Sequence, residues 1–124
     1  MKTPGAKHWY IPDAYLPSCG RGEKWEGHES VCILNAGDED AHISFRLFFA
    51  DRPPIEGIRV LVKARSDVHV GMHKPEQLGG TVVPRDVPYG IVVDSDVPIV
   101  VQYSRLDVTQ PNFTLMTTIP YFQG

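Results

Sequence analysis

Two cysteines in 124 residues leave no room for a disulfide framework. Cys19 and Cys32 stand too far apart for a CxxC pair, and no second pair completes a zinc site, so both read as buried or idle thiols. Long apolar runs are also missing. Stretches such as Val97-Pro98-Ile99-Val100-Val101 fall far short of the roughly 20 residues that a membrane-spanning helix needs. The opening Met1-Lys2-Thr3-Pro4-Gly5 runs into His8-Trp9-Tyr10 without the apolar segment of a secretory signal, so a cytoplasmic location is expected. Excess positive charge is lacking: 15 acidic residues against 12 basic ones give a field that mildly repels a phosphate backbone, and nucleic acid is not an expected partner. No window is both long enough and periodic enough for an amphipathic helix.

What is present is an ordinary globular composition, 42% hydrophobic and 22% charged, which excludes a disordered or fibrous chain. At this length one hydrophobic core is expected, hence a single domain over residues 1–124. Eleven prolines and eleven glycines cut the chain into short pieces suited to strands and turns. In Ala41–Phe49, Ile43, Phe45, Leu47 and Phe49 alternate with His42, Ser44, Arg46 and Phe48, the period of a half-buried strand. Ile58, Val60 and Val62 alternate with Arg59, Leu61 and Lys63 in the same way. Further strands are expected near Lys7–Ile11, Ser30–Asn35, Val68–Val70, Tyr89–Asp94, Pro98–Arg105 and Thr114–Ile119. Turn-forming clusters separate them at Asn35–Asp40, Asp51–Pro54 and Asp94-Ser95-Asp96. The expected fold is all-β, a two-sheet antiparallel β-sandwich or jelly roll of about eight strands with little or no helix. Pro12–Gly27 and His73–Pro88 read as long loops, of the kind that form a lid or rim around a site.

Signatures of catalysis are weak throughout. His69 and His73 are four apart, but a four-residue spacing aligns two imidazoles only on a helix, and Val68–Gly71 reads as extended. His28-Glu29 lacks the second histidine of HExxH, so no metal is expected. No GxSxG elbow is present, the carboxylates at Asp38, Glu39 and Asp40 sit in a turn, and Gly20-Arg21-Gly22 lacks the later glycine of a phosphate loop. The expectation is a protein that is not an enzyme and carries no cofactor.

Polar residues set into apolar strands are more informative. Gln102 and Arg105 interrupt Pro98–Arg105, Glu29 opens the strand that Asn35 closes, and Arg65 and His69 flank Val68. A buried amide without a hydrogen bond costs about 1–3 kcal/mol, so such side chains satisfy one another or a polar ligand. Strand parity places Gln102 and Arg105 on opposite faces unless a bulge intervenes, with Tyr103 on the face of Arg105. Trp9, Tyr10, Tyr15, Trp25 and Tyr89 lie in or beside the expected loops, where rings either pack in the core or stack on a sugar-like ligand.

Two runs carry a resemblance: His28-Glu29-Ser30-Val31-Cys32-Ile33-Leu34-Asn35-Ala36-Gly37-Asp38-Glu39-Asp40-Ala41-His42, and Val97-Pro98-Ile99-Val100-Val101-Gln102-Tyr103-Ser104-Arg105-Leu106-Asp107. With Trp9–Pro17, Arg65, His69 and Thr117-Thr118-Ile119 in the same order, the chain resembles the sensory rhodopsin transducer family along nearly its whole length. That resemblance implies a small β-sandwich assembling as a homotetramer. It also implies either a sugar-like small-molecule ligand or a membrane receptor as partner. The motif side chains it brings forward as ligand contacts are Trp9, His28, Glu29, Asn35, Arg65, His69, Gln102, Arg105 and Asp107. The small-molecule role is the first expectation, and docking on a signalling protein is the alternative.

Overall fold

The computed structural model describes residues 3–18, 27–108 and 112–124. Among the described residues eight strands run β1 (Ala6–Tyr15), β2 (His28–Asn35), β3 (Ala41–Phe49), β4 (Ile55–Val62), β5 (Ser66–Gly71), β6 (Pro88–Asp107), β7 (Thr114–Thr118) and β8 (Tyr121–Gln123). Every pairing is antiparallel. Among the described residues, a single 3-10 turn at Pro75–Gln77 is the only helical element.

The expected all-β class is observed, but two separate sheets are not. All eight strands belong to one hydrogen-bonded sheet, ordered β4-β3-β6-β1-β8, with β2 and β7 attached to β6 and β5 attached to β2. The cause is β6. Its first half pairs with β1 and β3, from Pro88 to Ser95, with Ala6 of β1 reaching on to Ile99, and its second half pairs with β2 and β7, from Val100 to Asp107. The two arms share one core, in which Phe45, Ile91 and Val93 of the first join Val31, Val101 and Tyr103 of the second.

Asp94-Ser95-Asp96, expected as a turn, therefore lies inside a 20-residue strand. Acidic turn residues ordinarily bond their own backbone. Here the carboxylates also reach neighbouring strands: Asp94 meets His8 and Arg46, while Asp96 accepts the His42 backbone N–H at 2.8 Å. The segment thus marks where β6 changes partners.

Alternation in β3 is observed as expected, with Ala41, Ile43, Phe45 and Leu47 buried and His42 and Phe48 exposed. Fully burying each of the larger of these side chains contributes about 1.5–3 kcal/mol. β1 extends past its expected end to Tyr15, because a register shift between Ile11 and Ala14 accommodates Pro12 without loss of the later pairing. At the start of β1, Gly5 has φ of +113°, and a Cβ there would lie 2.1 Å from the Ile99 carbonyl oxygen, so only glycine lets the chain cross β6 this closely. β8, unanticipated, pairs with β1 and stacks Phe122 against Trp9 at 4.9 Å.

The His73–Pro88 segment is strand-free up to its last residue, as expected, but it is fastened down. Leu78 and Val83 are buried, and Gln77 accepts the Gly71 backbone N–H at 2.6 Å. The central part of Pro12–Gly27, including Cys19 and Trp25, lies outside the described residues. Cys32 is half-buried, and burial first, then the Asp67 charge, pushes its thiol pKa up, which suits an idle thiol.

Candidate functional site

Glu29, the second residue of β2, is fully buried. Its carboxylate accepts the Tyr15 backbone N–H at 2.8 Å, the Tyr89 hydroxyl at 2.5 Å and the Tyr103 hydroxyl. Tyr103 also takes a bond from Arg105 Nε at 3.3 Å, and Arg105 continues to the Asp13 carbonyl at 2.9 Å and its carboxylate at 3.3 Å. The register explains the grouping: Glu29 lies directly opposite Arg105, and Val31 opposite Tyr103, so Glu29, Tyr103 and Arg105 share one face. Burial first, and the Glu29 carboxylate second, raise the pKa of both Tyr89 and Tyr103 far above the ordinary tyrosine value. Both phenols are thereby fixed as donors.

Asn35 forms a second buried node. Its Nδ2 donates toward the carbonyls of Glu39 (2.8 Å), Val62 (3.1 Å) and Lys63 (3.2 Å), and its Oδ1 accepts the Gly37 N–H at 3.1 Å. One side chain so ties the β2–β3 turn to the end of β4.

The remaining candidates lie elsewhere. Trp9 is core, with Nε1 donating to the Ala6 carbonyl at 2.9 Å. Arg65 and His69 are exposed and pair with Asp38 at 2.7 Å and Asp67 at 3.0 Å. Gln102 points away from the core and donates to the Thr117 hydroxyl at 2.7 Å, on the face opposite Arg105 as its parity requires. His28 stacks its ring 5.0 Å from that of His73, and Asp107 ends β6 opposite Thr114. Of the nine, the structure brings together Glu29 and Arg105. A hollow of about 280 Å³ is lined by Asn35 with Asp38, Glu39 and Val97, and it includes none of the other eight.

A polar ladder that sequence reasoning missed crosses the outward face of β3, β6 and β1. Asp94 is held by His8 Nδ1 at 2.8 Å on one oxygen and by Arg46 at 3.1 Å on the other. Beside it, Asp96 bonds the His42 imidazole at 3.0 Å, and Tyr10 donates to Gln123 at 3.2 Å. The His42 backbone N–H first, and its imidazole after, hold the Asp96 carboxyl below the usual carboxylate range. The signal was present in the parity of His8 and Tyr10 and of His42, Ser44 and Arg46. What was missing was the knowledge that β6 runs between these two strands.

Among the described residues no three His, Cys, Asp or Glu side chains gather as metal ligands, and no helix is long and apolar enough to cross a membrane. The buried Glu29 carboxylate is occupied by two phenols and a backbone amide, bonds that tie β1, β2 and β6 together. The molecule is thus of the class of small all-β domains stiffened by internal polar clasps. Residues 4–122 match the family described as Anabaena sensory rhodopsin transducer, and the chain belongs to that family. Among solved structures, Thermotoga maritima 1070 is 40% identical, with 96% of each chain covered and a TM-score of 0.83. The Anabaena sensory rhodopsin transducer is 39% identical over 85% of this chain and 91% of its own, with a TM-score of 0.74. A comparison with curated proteins gives no match.

Proposed function

We propose that the chain is a non-enzymatic signal-transducing adaptor that assembles with copies of itself through its C-terminal edge and docks on a partner receptor. The observation that carries this reading is the surface of the last segment. Phe113, Leu115, Ile119, Tyr121 and Phe122 are all exposed, Leu115 by 71%, and no side chain from Val108 to Gly124 is charged. Among the described strands β7 pairs with β6 alone and β8 with β1 alone, so each offers a free backbone edge. Edge strands in monomers are ordinarily guarded by lysine, proline or a bulge, and Thr114-Leu115-Met116-Thr117-Thr118 has none of these.

A second copy of this chain is the occupant that fits. An uncharged edge meets its own copy without like-charge repulsion although the chain carries a net charge of -3, and a two-fold axis lets the same strand serve both partners. A homotetramer follows if a second interface joins two such pairs. Light scattering is the test: a particle of several times 13.8 kDa supports the reading, and one of 13.8 kDa at micromolar concentration opposes it.

The receptor half of the proposal rests on the relative named a sensory rhodopsin transducer. A retinal-binding membrane receptor is the proposed partner, with docking on its cytoplasmic side. Binding to nanodiscs that carry a sensory rhodopsin, and not to empty ones, is the expected result; equal binding to both counts against it.

The small-molecule role is a second reading. Glu29, Asn35 and Arg105 support it less than their polarity promised, since their hydrogen bonds are spent on neighbours within the fold. What favours it is a separate groove on β3 and β4.

A further inference from the structure

A hollow of about 600 Å³ lies on the outward side of β3 and β4. That is inside the usual range of small-ligand sites, about 300–1,000 Å³. Register creates it. Phe45 pairs with Ile58 and Leu47 with Ile55, so Arg46 alone faces both Glu56 and Gly57, which is a β-bulge. Gly57 has φ of +84° and nothing stands within 4 Å of where its Cβ would be, so the wall beside Arg46 stays low.

Two guanidinium groups line this groove. Arg46 is braced by Asp94 at 3.1 Å and lies 5.6 Å from the Phe48 ring centroid, yet its side chain remains 40% exposed. A guanidinium has five N–H donors in a fixed fork, and the Asp94 contact engages one nitrogen, so further donors remain for an oxyanion. Arg59 sits directly opposite Ser44 in the β3–β4 register and has no acidic partner among the described residues. The lining has one opposing charge, Glu56, and an apolar side at Leu61.

We propose that this groove binds a small molecule bearing a carboxylate or phosphate group, with Arg59 and Arg46 as the oxyanion clamp and the Ser44 hydroxyl as a third donor. Asp94 and His8 act behind Arg46, fixing its direction. This deepens the small-molecule reading and is independent of self-assembly, because β4 and β8 are opposite edges of the sheet path and the groove stays open when β8 is covered.

The test is an amide chemical-shift titration of the isotope-labelled chain with inorganic phosphate and, separately, citrate, at ionic strength held constant with chloride. Saturable shifts confined to Ser44, Arg46, Gly57 and Arg59 are expected with at least one of the two. The exposed-site variant Arg59→Gln, its fold checked by the same spectrum, is expected to weaken binding roughly tenfold or more. Saturation with one anion only identifies which group the clamp takes. Absence of saturation with both anions up to tens of millimolar overturns the proposal. So do shifts that persist unchanged in Arg46→Gln/Arg59→Gln, and a failure of self-assembly in the same sample leaves this result unaffected.

Discussion

The hydroxyl of Tyr89 donates to the carboxylate of Glu29 at 2.5 Å inside the core, and the two residues come from opposite arms of the sheet. Tyr89 stands in the half of β6 that pairs with β1 and β3, Glu29 on the strand that pairs with the other half. A buried polar group must find its hydrogen bonds within the fold, and the two arms meet in the arrangement that supplies them. The bond therefore sets how the two arms face each other.

Glu29→Ala should cost about 1–3 kcal/mol for each buried donor left without an acceptor, because two phenols and the Tyr15 amide lose their common partner. Glu29→Gln should cost about 1–3 kcal/mol, since an amide offers one acceptor oxygen and brings donors to a site already full of them. Urea denaturation measures both, and a change under about 0.5 kcal/mol for the alanine variant would show that the clasp is not structural.

The tyrosines give the pH dependence. Burial and the Glu29 charge raise the folded-state pKa of Tyr89 and Tyr103 above the unfolded value of about 10. A raised pKa means that the folded chain holds the proton more tightly. The stabilisation is then complete below about pH 10 and is lost as pH rises beyond it. Ultraviolet absorbance should show two of the five tyrosines ionising only as the chain unfolds in alkali. Five reversible ionisations in the folded state would contradict this.

Asn35 and Gln102 look alike in the sequence and should behave differently. Asn35→Ala removes the donor and acceptor that bind three carbonyls and the Gly37 amide in a buried site, a loss of about 1–3 kcal/mol or more. Gln102→Ala removes an exposed contact to Thr117 and should stay within about 0.5 kcal/mol. Chemical-denaturation midpoints of the two variants decide the matter.

That contrast shows what the sequence made legible. Period-2 alternation located β3 and β4, and strand parity placed Gln102 and Arg105 on opposite faces. Polarity inside apolar strands drew attention to Glu29 and Asn35 but could not tell a ligand contact from a clasp, because the partners Tyr89 and Lys63 are remote in the chain. Asp94-Ser95-Asp96 carries the composition of a turn, and only the neighbouring strands that supply His8, Arg46 and His42 make it part of β6. β8 is three residues long, too short for a period to be seen, and it forms against β1 with Phe122 on Trp9.

The central claim is that the uncharged C-terminal edge joins one copy to another. Its most direct test compares the mass in solution of the unaltered chain with that of Leu115→Lys/Phe122→Lys, which places charge on two exposed apolar positions of β7 and β8. A multiple of 13.8 kDa falling to 13.8 kDa in the double variant, with an unchanged β-rich circular dichroism spectrum, is the predicted result. An identical mass for both proteins would contradict it.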